Sequence, residues 1–226
     1  MTHITIACLD MAGTTVRDDG TVLTAFTAAV AQQGLVSGTP EHERAMRIVH
    51  DTMGTSKIEV FRQILGDEDA AAKANQAFEE NYAAAVRAGE VAALPGAEET
   101  IARLRAAGIR VCLLTGFAPA TREAIIDALG WRDAVDLALS PADAGRGRPW
   151  PDLPLTALLR LGGEATEHLA VVGDTPSDVE SGLRAGAGLV AAVLTGRATR
   201  EELERAGAPL VLDSVADLPA QLAAGV

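Results

Sequence analysis

The feature that most limits what this chain can fold into is a repeated alternation of short apolar runs with stretches of helical spacing. From Leu94-Pro95-Gly96 onward, a helical pattern over Ala97 to Ala107 leads into a strand-like run from Ile109 to Leu114. The same pairing follows in Pro119 to Leu129 with Val135 to Leu139, Leu153 to Leu161 with Leu169 to Val172, and Pro176 to Ala185 with Leu189 to Leu194. Arg200 to Ala206 then precedes a short strand, Leu210 to Leu212, and a last helix is expected from Ser214 to about Ala223. Strands this apolar need cover on both faces, and strands joined through helices run parallel with right-handed crossovers. The expected fold is an α/β, doubly wound parallel sheet, with Ile4 to Asp10 as its first strand. Gly108, Gly130 and Gly186 each follow a helical stretch and suit its C-terminal cap.

One segment breaks the alternation. Between Thr21 and Arg87 the chain reads as helices only: Thr21 to Gln33, Glu41 to Val49, Lys57 to Leu65 and Asp69 to Arg87. The expected organisation is a core of residues 1–19 and 94–226 with a helical cap, residues 20–93, inserted after the first strand. A helical insert at that point lies by the ligand-binding end of the sheet, where a lid would sit. At 226 residues the chain is long enough for such a core and insert.

Composition narrows the function classes. Lys and Arg number 19 against 31 Asp and Glu, a net charge of −12, which argues against nucleic acid or an anionic membrane as partner. With 3% aromatic residues, stacking platforms for bases are not expected either. Cys8 and Cys112 lie in apolar runs and form no CxxC pair, so they read as core residues. No cleavable leader pattern and no long uninterrupted apolar window are evident, and a cytoplasmic protein is expected. His3, His42 and His168 have no partner pattern, and His50 reads as a solvated helix-end residue in preference to a base.

Chemistry concentrates at the strand ends. The first strand runs into Asp10-Met11-Ala12-Gly13-Thr14-Thr15, a carboxylate delivered into a tight turn. Ligands of open α/β sheets bind outside the carboxyl ends of the strands, yet Asp also starts turns for purely local reasons. Similar signals follow in Leu114-Thr115-Gly116, in Gly147-Arg148-Pro149-Trp150-Pro151, and in Gly173-Asp174-Thr175-Pro176-Ser177-Asp178. Taken singly, each has a bland reading: a cap, a surface arginine, a helix N-terminus or a solvated helix residue.

Their order is informative. Asp10 with Gly13-Thr14-Thr15, then Thr115, Arg148, Asp174 and Asp178, resembles the haloacid dehalogenase superfamily of aspartate-nucleophile phosphohydrolases, with its Rossmann-like core, over the whole chain. Within it the likeness is to the phosphonatases, the phosphonoacetaldehyde hydrolases, because most phosphatases of the superfamily carry a second Asp where this chain has Ala12. Gly147-Arg148-Pro149-Trp150-Pro151, preceded by Pro141 and Asp143, fits the same form. The resemblance implies Asp10 as nucleophile, with Asp10, the Ala12 carbonyl and Asp174 binding Mg²⁺ and Asp178 supporting them. It implies Thr115, the Gly116 amide and Arg148 as donors to the phosphoryl oxygens, with Thr14, Met53 and Phe117 at the substrate. These residue types suit phosphoryl transfer, in which the repulsion between a carboxylate and an anionic phosphorus must be neutralised.

Ala12 removes an acid that would protonate the leaving group, a service worth roughly 10²- to 10⁴-fold. By resemblance Lys57, in Met53-Gly54-Thr55-Ser56-Lys57, supplies an alternative: a protonated imine with an aldehyde substrate is an electron sink for carbon–phosphorus cleavage. A position at a helix N-terminus would lower its pKa from about 10.4. The chain departs from the phosphonatases at Val60, where they have His, and at Phe117, where Tyr is usual. Lys57 also falls where related mutases and phosphatases place a cation that grips a second anionic group, and a solvated helix-start lysine is the bland reading. Met53 either contacts the lysine or fills the seam between cap and core. The expectation is an organophosphonate hydrolase, with a phosphate-ester phosphatase as the alternative. A silent binder of a phosphorylated metabolite or of a protein partner is the reading from another class, and a dehalogenase would have no use for Asp174. A homodimer through the cap helices is compatible with their apolar content.

Overall fold

The computed structural model describes residues 3–224; residues 1, 2, 225 and 226 of the expected core segment lie outside them. Six strands form one parallel sheet in the order β3-β2-β1-β4-β5-β6. They are β1 (Ile6–Asp10), β2 (Arg110–Leu114), β3 (Leu137–Leu139), β4 (Leu169–Gly173), β5 (Leu189–Val193) and β6 (Leu210–Leu212). The chain runs outward from β1 to β3 on one side, then returns to lay β4 against the other side of β1. This reversal is the switch point at which doubly wound sheets open a crevice.

Period-two alternation in the central strand explains the layers. Ala7 and Leu9 of β1 join a large cluster with Ile101 and Leu104 of α5 (Ala97–Ala106) and Ile125 of α6 (Pro119–Leu129). Ile6 and Cys8 face the opposite way, onto Leu153, Ala157 and Leu158 of α8 (Asp152–Arg160). Cys8 and Cys112 are buried free thiols, paired in register across β1 and β2. Among the described residues, no helix is long and apolar enough to cross a membrane.

Four helices fill the stretch between β1 and α5: α1 (Thr21–Gln32), α2 (Pro40–Asp51), α3 (Lys57–Leu65) and α4 (Glu68–Arg87). Phe26 of α1, Phe61 of α3 and Phe78 of α4 form its centre, with ring centroids 5.1 Å apart for Phe26–Phe61 and 4.6 Å for Phe26–Phe78. Tyr82 of α4 extends this cluster to Phe117, just beyond β2, at 4.5 Å. The helical block is thus joined to the sheet through apolar aromatic contact.

The differences from the sequence reading are local. β3 begins at Leu137 and not at Val135, because the Asp136 carboxylate accepts the Val111 N–H at 2.8 Å, a bond that a strand carbonyl would otherwise take. A one-turn helix, α7 (Pro141–Ala144), has no apolar periodicity to announce it; Ser140 and Asp143 close a capping box around it. At the C-terminal end, Ser214 caps a short 3₁₀ turn, Val215–Asp217, before α11 (Leu218–Ala224) starts. The remaining helices, α9 (Pro176–Ala185) and α10 (Arg200–Arg205), lie where the spacing puts them.

Candidate active site

Strand register brings the site together. Asp10 pairs with Leu114 and Leu9 with Val172, so Thr115 and Asp174 emerge beside Asp10 at the carboxyl edge of β2, β1 and β4. The chain then turns sharply. The N–H groups of Thr14, Thr15 and Val16 all converge on the Met11 carbonyl, and the Thr15 hydroxyl donates to the Asp10 carbonyl at 2.8 Å. These bonds fix the backbone around Asp10, so the carboxylate is held by a closed turn and not by a mobile loop.

Asp10, Asp174 and Asp178 are all buried, and each places a carboxylate oxygen within 4.8 Å of the others. Arg148, from the segment between α7 and α8, donates through Nη1 to both Asp10 and Asp178. Asp178 sits in the first turn of α9, where its second oxygen also accepts from the Thr175 N–H at 3.1 Å and from the Thr175 hydroxyl. Asp178 therefore orients Arg148, and its oxygens are shared among protein donors.

One guanidinium does not balance three buried carboxylates. Burial pushes the Asp10 carboxyl up to about 6, against the pull of Arg148, with Asp178 adding repulsion. Burial, then Asp10 and Asp178, hold Asp174 well above the usual carboxylate range. An oxygen-rich, buried and under-compensated cluster of this kind suits a hard divalent cation. Asp10 and Asp174, with Asp178 behind them, are the residues that could hold one.

Thr115 receives the Phe117 N–H on its hydroxyl oxygen at 3.2 Å, which leaves its own proton to donate elsewhere. Asp10, Ala12, Thr115, Gly116, Arg148 and Asp174 line a cavity of about 430 Å³, together with Met53 and Lys57 from the helical block. Thr14 takes a different place from the substrate-facing one expected of it. Its side chain is wholly buried, and its hydroxyl donates to Asp174 Oδ1 at 3.1 Å, steadying that carboxylate from behind.

Lys57 reaches this cavity because the loop before it is pressed onto the core. Its backbone N–H donates to the Gly116 carbonyl at 3.4 Å, and a Cβ on Gly116 would come within 2.4 Å of the Thr55 carbonyl oxygen. Gly54, at φ +83°, comes so close to Thr175 that a Cβ would lie 2.3 Å from its Oγ1. The lysine side chain is only 7% exposed. Its Nζ stands 5.2 Å from the Phe117 ring centroid and 5.8 Å from that of Phe26. Burial lowers its pKa to about 8, Arg148 adding to the effect and Asp10, Glu79 and Asp18 opposing it. The solvated-lysine reading is thereby excluded by position.

Some neighbours escaped the sequence reading. Asp18 accepts from the Gly20 and Val22 N–H groups at the start of α1 and lines the cavity. Glu79 and Tyr82 project from α4 towards the seam, each with a buried oxygen that has no hydrogen-bond partner among the described residues. Acidic and aromatic residues on a long amphipathic helix read as surface and core respectively, so no sequence signal marked them. His50 lines the outer part of the cavity and is exposed.

The chain belongs to the haloacid dehalogenase-like hydrolases, whose family model matches residues 4–186. It is 32% identical over 155 residues to the phosphonoacetaldehyde hydrolase of Salmonella newport, an alignment covering 58% of this chain and 57% of that protein. The chain thus spans little more than half the length of the curated phosphonoacetaldehyde hydrolases it matches. A likeness over more of the chain is to the probable phosphatase IndB of Dickeya dadantii, 27% identical over 219 residues, covering 94% of this chain and 91% of that one. Among solved structures, a phosphonoacetaldehyde hydrolase-like protein from Oleispira antarctica superposes with a TM-score of 0.81 at 26% identity, covering 99% of this chain and 95% of the other. Family and site together define a hydrolase with the parts of a phosphatase or phosphonatase.

Proposed function

We propose that the protein is a Mg²⁺-dependent phosphonatase-like hydrolase that cleaves the carbon–phosphorus bond of phosphonoacetaldehyde or a close relative. The observation that carries this reading is Lys57: an amine buried between aromatic rings, with a lowered pKa, on the same cavity as Asp10, in a chain that has Ala12 in place of a general acid.

On this reading Lys57 condenses with the substrate aldehyde and water departs. The Asp10 carboxylate then attacks phosphorus, and the electrons of the breaking carbon–phosphorus bond flow into the protonated imine to give an enamine. Thr115, the Gly116 amide and Arg148 hold the phosphoryl oxygens. Bound Mg²⁺, held by Asp10, Asp174 and the Ala12 carbonyl with Asp178 behind, would neutralise charge at the phosphoryl group. Protonation of the enamine carbon and hydrolysis of the imine release acetaldehyde, and water cleaves the aspartyl-phosphate. On this reading residues 20–93 act as the cap that encloses the reaction, and a cavity of about 430 Å³ suits a small-molecule substrate.

A second reading has a specific observation behind it. The likeness to the IndB phosphatase covers far more of the chain than that to the Salmonella hydrolase, and Val60 and Phe117 depart from the phosphonatase pattern. In a phosphate-ester phosphatase Lys57 would grip a second anionic group. One experiment separates the two: phosphonoacetaldehyde and a panel of phosphate esters are assayed with Mg²⁺, and the chain is reduced with borohydride in the presence of the aldehyde. A covalent adduct at Lys57 and release of acetaldehyde support the phosphonatase. No adduct, with ester hydrolysis retained in Lys57→Arg, supports the ester phosphatase.

A further inference from the structure

Lys57 lines a second cavity besides the one it shares with Asp10. This cavity, about 610 Å³, shares Lys57, Gly116, Phe117 and Arg148 with the first and is lined by Glu79 as well. Glu79 projects into the seam from α4. Its Oε1 accepts the Ala118 N–H at 3.1 Å, which fixes the side chain, while its Oε2 is buried with no hydrogen-bond partner among the described residues. An anchored carboxyl with one oxygen unbonded among the described residues, on the same cavity as the buried Lys57 amine, is costly for stability alone.

We infer that Glu79 is the proton donor and acceptor for imine chemistry at Lys57, an inference that rests on the imine reading above. Attack of the neutral amine on an aldehyde forms a carbon–nitrogen bond, the nitrogen losing one proton and the carbonyl oxygen gaining one. The resulting carbinolamine loses its hydroxyl as water only when that oxygen takes a second proton, and this leaves the nitrogen as a protonated imine. Glu79 in its acid form supplies that proton and becomes a carboxylate; when water later adds to the imine, the carboxylate takes the proton back. Burial raises the Glu79 pKa, with the Thr121 hydroxyl, the Ala118 amide and Lys57 opposing. Lys57 in turn faces Arg148, Asp10, Glu79 and Asp18. A carboxyl pushed up beside an amine pushed down narrows the gap between donor and acceptor.

The test uses the full chain, acetaldehyde as probe and borohydride as trap, with the rate of N-ethylation at Lys57 followed by mass spectrometry across pH. The reaction needs a neutral amine and a protonated carboxyl together, so the wild-type rate is expected to pass through a maximum and to fall on the alkaline side, where the amine is already neutral and the carboxyl is losing its proton. Glu79→Gln keeps an acceptor for Ala118 but has no proton to exchange; it is expected to be trapped about 10²-fold more slowly and to lose the falling alkaline limb. Glu79→Asp, one methylene shorter but still ionisable, should recover part of the rate together with that limb, which a merely structural role would not return. Trapping of Glu79→Gln at the wild-type rate and pH profile overturns the inference while leaving the imine reading intact. Absence of any adduct in the wild type overturns both.

Discussion

At the scale of single residues, the site assigns different work to groups of similar appearance. Asp10, Asp174 and Asp178 share one buried cluster, yet Asp178 is bound up with Arg148 and Thr175, Asp174 is steadied by Thr14, and Asp10 alone is held in a closed turn beside Thr115. Replacing Asp10 with Asn keeps the shape and removes the nucleophile. Turnover of every phosphonate and phosphate donor is expected to fall by at least about 10⁴-fold, measured as phosphate release, and retention of activity would remove Asp10 from the mechanism. Lys57 makes a prediction of opposite sign for stability. Its folded pKa of about 8 lies below the ordinary 10.5, so near pH 7 the folded chain carries a buried charge that the unfolded chain carries in water. Each pKa unit is worth about 1.4 kcal/mol, so the cost is about 3 kcal/mol, and stability should rise as pH climbs from about 8 towards 10.5. Lys57→Met is therefore expected to be more stable than the wild type at pH 7 by about 2 to 3 kcal/mol in denaturant titrations, while losing imine trapping altogether. An unchanged or lowered stability would show that its neighbours offset the cost of burying the charge. Asp10, Thr115 and Asp174 were legible because each stands at a strand end, where α/β sheets put their chemistry; Arg148, expected at a strand end too, lies instead in the segment between α7 and α8 and was legible only through its Gly-Arg-Pro motif. Glu79 was not, since a glutamate on a long helix looks the same in sequence whether it meets solvent or a buried lysine.

Elements explain how a lysine on a helix remote from the sheet comes to face a strand-end aspartate. The loop from Met53 to Ser56 lies flat on the core only because Gly116 and Gly54 have no side chains, with the Thr55 carbonyl and Thr175 hydroxyl in the space a Cβ would fill. Gly116→Ala would force backbone against backbone. The loop must then lift, carrying Lys57 away from Asp10. The expected result is a loss of aldehyde trapping and of phosphonate turnover by tenfold or more, with a stability loss of about 1 to 3 kcal/mol, because the seam opens while the sheet remains. Equal turnover in Gly116→Ala would mean that the docking seen here is not needed for chemistry. The alternation of strands and helices was readable because covered parallel strands are continuous apolar runs, and most helix ends fell within two residues of their caps. What was hidden had side-chain causes: Asp136 taking the place of a strand carbonyl, and a capping box sustaining a four-residue helix with no apolar face. The docking of the helical block was hidden for a similar reason. A Thr-Gly after a strand gives no hint that a second segment rests on it.

For the whole molecule, the decisive quantity is the charge enclosed where the sheet, the α9 N-terminus and the helical block meet. Three carboxylates and one guanidinium are buried there in a chain of net charge −12, so no long-range positive field offsets the local excess. In metal-free protein a carboxyl whose pKa rises from 3.8 to about 6 on folding favours the folded state at low pH, and that advantage is lost as pH rises through about 6. A divalent cation competes with protons for the same oxygens, so its effect must grow in the same interval. Mg²⁺ is expected to raise the melting temperature of chelator-treated protein by clearly more at pH 7.5 than at pH 5, with NaCl of equal ionic strength giving no such difference. At 100 times its dissociation constant the stabilisation is about 2.7 kcal/mol. Comparing the two pH values as a difference with and without Mg²⁺ cancels carboxylates elsewhere that titrate alike in both. Asp174→Asn serves as the control from within the cluster: relieved of one buried negative charge, it should melt higher than the metal-free wild type at pH 7.5 and respond little to Mg²⁺. A Mg²⁺ shift that is the same at both pH values, or that survives in Asp174→Asn, would place the cation elsewhere on this acidic surface and leave the buried carboxylates to be balanced by Arg148 and protons.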